Sequence, residues 1–317
     1  MLNQTQKTEI LQLVEDEKER LGSFRAVAKK CGVSETAISL LRKGTYGADG
    51  DDVYYTIGRI LGYEFDSSNW VIADTITNYT IVTDVLADAK SESMFMGIAH
   101  KAGSGKTASS DTYFNLNRRK AVFKVNAKEW NAHMYLLEVA KEIGAEIPRG
   151  SYVKVNALIE AIGDTFNRMA SQKPLLIIDQ ANSLKPSALR THIHLFNHCE
   201  DKLGLVIIGT DNLEHEIKKG VRLNKTGYDE FDSRFGRTYI HLVGATLADT
   251  RKICEVNGIT DRDLQKKIFD KCEPTKQTVE AGDESRTIYV VEDIRRIKRL
   301  VKSERLKMKY HAKNIEA

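Results

Sequence analysis

The segment MFMGIAHKAGSGKT, residues 94–107, constrains this chain more than any other. Its apolar run, residues 94–100, has the short continuous character of a strand buried on both faces. It leads directly into Lys101-Ala102-Gly103-Ser104-Gly105-Lys106-Thr107, and Ala108-Ser109-Ser110 can open a helix behind it. Glycines at this spacing let successive backbone N–H groups turn inward around phosphate oxygens. Lys106 can then reach the β and γ phosphates, and the Thr107 hydroxyl can serve a Mg²⁺ ion. The pattern G-x-x-x-x-G-K-[ST] places His100 where its first glycine would stand, so the loop start is expected to tolerate a side chain, and His is among the residues less penalised at positive φ. Gly103, Gly105 and Ala108 also satisfy G-x-G-x-x-A of a dinucleotide fold. That reading requires a carboxylate at the end of the second strand, and AVFKVN ends in Asn126 with no acid before Glu129.

Four more apolar runs follow, at residues 121–126 (AVFKVN), 174–179 (PLLIID), 204–210 (GLVIIGT) and 237–242 (RTYIHL). Between them lie amphipathic stretches such as residues 133–144 and 155–170. This alternation predicts an α/β fold in which a parallel sheet is flanked by helices. The run LLIID supplies Asp179 at a strand end, where a carboxylate can hold the shell of the metal. The next position, at which hydrolytic P-loop proteins commonly carry a glutamate that deprotonates water, is Gln180. An amide orients water by hydrogen bonds but takes no proton, so ATP hydrolysis is expected to be slow. A native glutamine and a substitution that traps the ATP state are equally compatible with this sequence.

The N-terminal segment reads as short helices. In FRAVAKKCGVSETAISLLRKG, Ser23 and Ser34 stand as N-caps, Gly32 falls in the intervening turn and Gly44 closes the second helix. Val27, Ala28, Val33, Ile38 and Leu41 form the inward set of a helix-turn-helix. Its second helix, residues 34–43, would offer Glu35, Thr36, Ser39, Arg42 and Lys43 to a DNA groove. Charge opposes phosphate contact here, because residues 1–68 carry nine Lys/Arg against eleven Asp/Glu; DNA contact is the favoured reading, and the alternative is a small helical bundle that binds protein or nothing. Residues 286–313, by contrast, carry ten Lys/Arg against three Asp/Glu.

No apolar run approaches the roughly 18 residues that span a bilayer, and the N-terminus is polar and acidic, so a cytoplasmic protein without membrane contact is expected. Cys31, Cys199, Cys254 and Cys272 show no C-x-x-C pairing and read as buried or incidental thiols. His192, His194, His198 and Cys199 suggest metal ligands, since His194 and His198 stand at i, i+4; without an H-E-x-x-H glutamate, structural or surface histidines are favoured.

With P-loop, acidic strand and polar-ended strand in order, the chain resembles an AAA+ ATPase. The helix-turn-helix in front is similar to that of the phage Mu transposition protein B family, ATP-dependent proteins that polymerise on target DNA and present it to a transposase. The resemblance covers nearly the whole chain, with FRAVAKKCGVSETAISLLRKG, AGSGKT, LLIID and GLVIIGTDN as its firmest stretches. It implies an ATP and Mg²⁺ site built from Ala102, Gly103, Ser104, Gly105, Lys106, Thr107 and Asp179, with Thr107 and Asp179 serving the metal. Thr210 would be the polar sensor beside the γ-phosphate. Arg234, and second Arg237, would be the finger offered to a neighbouring subunit, and Arg295 a second sensor on a lid helix. The implied partners are double-stranded DNA, other copies of the chain in a ring or filament, and a transposase.

The resulting organisation is a helix-turn-helix domain at 1–68, a linker at 69–85, an AAA+ domain at 86–245, and a helical lid at 246–317 that ends in a basic helix. Further basic candidates for DNA are Arg118, Arg119 and Lys120 behind the P-loop helix, and Lys218, Lys219, Arg222 and Lys225 ahead of Arg234. The rival readings are an ATP-gated regulator whose helix-turn-helix reads one operator, and a nucleotide-bound scaffold for protein partners.

Overall fold

The computed structural model describes residues 2, 4–47, 50–63, 70–147, 153–281 and 284–315. Four helices come first: α1 (Gln4–Leu21), α2 (Phe24–Cys31), α3 (Glu35–Arg42) and α4 (Asp51–Leu61). The expected caps set their ends. Ser23 accepts from the Ala26 N–H and Ser34 from the Ala37 N–H, while Gly32 takes the left-handed conformation between α2 and α3. Ile10, Val14, Val27, Ala28, Ile38, Leu41 and Ile57 form a core of their own beneath these helices.

Next come α5 (Thr77–Ser91), β1 (Phe95–Ala99), α6 (Lys106–Leu116), β2 (Val122–Asn126), α7 (Ala132–Glu142), α8 (Val155–Arg168), β3 (Leu175–Asp179), α9 (Pro186–Cys199), β4 (Gly204–Gly209), α10 (Asp211–Arg222), α11 (Tyr228–Arg234) and β5 (Tyr239–Ile240). The strands form one sheet in the order β2-β3-β4-β1-β5, and every pairing is parallel. Alternation along the strands divides the core in two. Leu176, Ile178, Leu205 and Ile207 face α7–α11, whereas Leu175, Ile177, Val206 and Ile208 face α5 and α6. Each such side chain contributes about 1.5–3 kcal/mol on burial, which is why these runs specify central strands.

The expected linker needs correction. Residues 64–69 lie outside the described residues, and 77–85 belong to α5, whose Val82, Val85 and Leu86 cover the sheet. Its Asp, Asn and Thr residues obscured this apolar stripe. The expected strand at 237–242 shortens to two residues at the sheet edge.

The C-terminal part contains α12 (Leu247–Val256), α13 (Arg262–Lys271), β6 (Thr275–Ala281), β7 (Glu284–Val290) and α14 (Ile294–Ile315). It was expected to be helical throughout, but β6 and β7 form an antiparallel pair with Thr275 opposite Val290. Ile253, Ile268, Phe269, Val291, Ile297 and Val301 make its core, which Ala73, Ile76 and Tyr79 join from the segment before and at the start of α5. Asn257 fastens that segment through both the N–H and the carbonyl of Val71, and Asp249 accepts from the Thr77 N–H. None of the described helices is long and apolar enough to cross a membrane.

Candidate functional site

A cavity of about 580 Å³ opens at the carboxyl ends of β1, β3 and β4. That is where parallel sheets place their ligands, and the volume suits a nucleotide. One wall is the loop Ala102–Ala108 with the first turn of α6. Gly103 and Gly105 hold φ values of 87° and 95°, a region side chains avoid; a Cβ at Gly103 would also stand 2.0 Å from Asp293 Oδ1. His100 needs no such freedom and corrects the expectation on this point. It is not among the positive-φ residues, and its N–H continues the ladder to the Gly209 carbonyl at 3.4 Å.

Lys106 Nζ donates to the carbonyls of His100 (2.6 Å) and Lys101 (2.9 Å) and to Ser104 Oγ (3.0 Å). Burial brings its pKa down to about 8, against the opposing pull of Asp179 and Asp211. Such a cation gains from an incoming phosphate, which restores the charge balance that burial disfavours. The loop is fixed from behind by Asn78 of α5, whose amide donates to the Ser104 carbonyl and accepts from the N–H groups of Val243 and Gly244.

Opposite the loop, Asp179 ends the fully buried β3. Its Oδ1 accepts the N–H of Gln180, whose backbone is left-handed at φ 57°. Its buried Oδ2 lies 3.3 Å from Lys124 Nζ yet accepts no hydrogen bond. A carboxylate oxygen that accepts no hydrogen bond and the exposed Thr107, lining the same cavity, fit the donor set of a Mg²⁺ ion. When bound with a nucleotide, that ion would offset phosphate charge between these two residues. Gln180, Asn182 and Thr210 complete this side, and Asn182 Oδ1 accepts the Thr210 N–H at 3.2 Å. Arg295, in the first turn of α14, lines the cavity from the C-terminal part. Away from the phosphate loop the lining becomes apolar and aromatic, with Trp70, Ile72, Ile76, Tyr79 and Ile253, and Lys298 Nζ lies 5.3 Å from the Trp70 ring.

Two remaining arginines stand apart. Arg234 donates to Asn197 Oδ1 and lies over the Phe196 ring, and Arg237 pairs with Asp229 at 2.7 Å. Neither lines the cavity of its own chain. Among the proposed DNA contacts, Thr36 and Lys43 are exposed and Ser39 is half-buried. Arg42 is held by Glu15 and lies 4.0 Å from the Phe24 ring, and Arg119 is held by Asp16. Arg118 needs correction: at 7% exposure, over the Phe114 ring and bonded to Asn115, it is an interior residue. Lys218 is drawn to the buried Asp232 and Lys219 lies 3.7 Å from Glu216, whereas Arg222 is exposed at the end of α10.

The histidine cluster is structural in part. His192 is buried, bonded to Tyr135 and to the Leu189 carbonyl, and burial lowers its pKa to about 4. His198 pairs with Asp164, and all four cysteines are buried and unpaired.

Sequence reasoning missed Asn78, Lys124, Asn182 and Trp70. Lys124 interrupts an otherwise apolar strand and was the one visible signal; its ammonium contacts Ser110 Oγ and Asp111 as well as Asp179.

Residues 92–217 match the family model of the AAA domain. This segment contains the phosphate loop, Asp179 and Thr210, and the five-stranded parallel sheet with flanking helices is consistent with an AAA-type P-loop domain. No curated protein matches the chain significantly. Among solved structures, the Cdc6p crystal structure from Pyrobaculum aerophilum aligns with a TM-score of 0.48 and 16% identity over 64% of this chain. The aligned region is 56% of the length of that chain.

Proposed function

We propose that this protein is an ATP-dependent, largely sequence-non-specific double-stranded DNA-binding AAA+ protein that assembles on target DNA and delivers it to a transposase. The observation that carries the nucleotide part is the meeting of Lys106, Thr107, Asp179, Thr210 and Arg295 in one cavity, with Arg295 supplied by the C-terminal part. ATP with Mg²⁺ is the ligand that would use all five: phosphates on the loop and Lys106, the metal held by Thr107 and Asp179, Thr210 and Arg295 at the terminal phosphate, and the base among Trp70, Ile76 and Tyr79. Turnover is slow in this reading, because Gln180 orients water without accepting its proton.

DNA contact is supported by α14, which leaves the core after Val301 and carries exposed Lys302, Lys307 and Lys309 along its later turns. Such a face attracts phosphate without reading sequence. Arg222, Arg119, Lys43 and Thr36 remain accessible for further contacts. Exposed Arg237, and Arg234 beside it, are the groups a neighbouring copy would receive at its γ-phosphate, which would link ATP to assembly.

The test is fluorescence anisotropy on random-sequence duplexes of several lengths, without nucleotide, with ADP and with ATP, always with Mg²⁺. ATP-dependent binding that grows with duplex length is expected, and it should vanish in Lys106→Ala. Undiminished binding by that variant would overturn the mechanism. A bounded footprint on one sequence would point instead to the operator-reading regulator, and no DNA affinity to a protein scaffold.

A further inference from the structure

Because β1 lies between β4 and β5, three strand exits stand side by side on the sheet edge above the cavity. β1 runs into His100, β4 leads past Thr210 to Asp211, and β5 into His241. Ligand-capable atoms of His100, Asp211 and His241 lie within 4.8 Å of one another. Glu214, one turn beyond Asp211 on α10, pairs with His241 Nε2 at 3.0 Å.

His100 makes this more than a surface cluster. The residue is only 8% exposed, and its buried Nε2 has no hydrogen-bond partner. Leaving a buried polar nitrogen unsatisfied costs about 1–3 kcal/mol, so such atoms call for a ligand. Two imidazoles and a carboxylate suit a borderline-soft divalent cation such as zinc, whereas magnesium and calcium prefer oxygen donors throughout.

The geometry points to a zinc-class cation site formed by His100, Asp211 and His241, separate from the Mg²⁺ position at Thr107 and Asp179. Glu214 is its positioning residue, fixing the His241 ring as carboxylates fix metal-bound imidazoles. Ligand atoms on one tetrahedral zinc stand about 3.4 Å apart, from bonds of ~2.0–2.1 Å. Asp211 and His241 are exposed and can close the remaining distance by rotation of their side chains. Bound metal would tie the exit of β5 and the start of α10 to the residue whose carbonyl receives Lys106 Nζ, bracing the phosphate loop from its outer side.

The test uses the full chain without nucleotide, so it stands apart from the ATP reading. Zn²⁺ is titrated by calorimetry, and Co²⁺ serves as the spectroscopic probe. The expected result is a single equivalent of Zn²⁺, visible Co²⁺ ligand-field bands and no thiolate charge-transfer band. Affinity should fall about tenfold or more in His241→Ala, less in Glu214→Gln, and not at all in His198→Ala. His241 is exposed, so its loss leaves the core intact. Absence of binding at micromolar zinc, equal affinity in His241→Ala, a loss in His198→Ala, or a thiolate band from the cysteines would each overturn the site.

Discussion

The parallel sheet and its flanking helices are joined to the parts before and after them by opposite means. The N-terminal helices meet it through charges sealed from water: Arg20 pairs with Glu17 and Glu142, Lys30 bridges the same two carboxylates, and Arg20 also donates to the Val122 carbonyl at 2.7 Å. The Arg20 guanidinium lies over the rings of Phe114 and Phe123. The C-terminal part shares an apolar core with Ala73, Ile76 and Tyr79 and also meets the domain at the phosphate loop, where the Ile294 N–H donates to the Gly103 carbonyl and an exposed Lys101 pairs with Glu292. Buried charges hold only as a complete set, since any one left alone keeps its desolvation penalty. The first junction is therefore all-or-none, and none of its four charged residues lines the cavity. The second includes the loop that would receive phosphate, so occupancy of the cavity and placement of the C-terminal part would bias one another.

Removing Arg20 should give the largest effect. Arg20→Ala leaves two carboxylates, Glu17 and Glu142, to share the single cation Lys30, and the unfolding free energy of the full chain should drop by about 3–5 kcal/mol in urea titrations followed by circular dichroism. Nucleotide affinity should stay within about twofold of the parent. A loss below about 1 kcal/mol would show that the cluster is dispensable.

Gly103→Ala should do the reverse. The added Cβ meets a left-handed backbone and the Asp293 carboxylate, so ATP affinity should fall on the order of tenfold to a hundredfold while the N-terminal junction is unaffected. Equilibrium binding of a fluorescent ATP analogue reads this, and unchanged affinity would mean that the loop relaxes freely.

The junctions should also separate by pH. Burial alone would raise the Glu17 pKa, but Arg20 and Lys30 outweigh it and hold the folded value below its ordinary 4.5. Stability from this group is therefore present above pH 4.5 and is lost as acid carries the pH through the depressed value. Acid unfolding should be steeper in the parent than in Arg20→Ala. Lys106 acts on the alkaline side. Its folded pKa of about 8 lies below the ordinary 10.5, so between these values the unfolded chain binds more protons and the group's destabilising effect eases as pH rises. Phosphate raises that pKa again, so nucleotide affinity should decline above pH 8, with proton uptake visible in calorimetry across buffers of different ionisation enthalpy.

The smallest effect belongs to Glu292→Gln, which frees Lys101. An exposed pair of this kind should change ATP affinity by about twofold. A tenfold change would place much of the second junction in this one contact.

The same contrast explains what could be read in advance. β1, β3 and β4 are nearly uninterrupted apolar runs, and G-S-G-K-T and Asp179 occur at their ends, so the sheet and phosphate loop were legible. Both junctions were opaque because they depend on residues distant in sequence: Arg20 with Glu142, Asn78 with Gly244, Asp293 with Gly103. Periodicity carries no information about such pairings. The β6–β7 hairpin was hidden for a related reason, since TKQTVEA and ESRTIYV are polar enough to resemble the surface of a helix. Arg118 looked like a surface cation because charge is visible in sequence and the Phe114 ring covering it is not.

Asn78 has a mechanical consequence. One end of its amide holds the Ser104 carbonyl and the other holds the N–H groups at 243 and 244, where the chain leaves the sheet for the C-terminal part. The amide is rigid and its helix is packed on the sheet, so it works as a fulcrum. A small displacement of the loop at one end must pivot or strain the strand exit at the other, and the long arm of α14 would magnify a fraction of an ångström at the loop into a larger sweep at its basic tip.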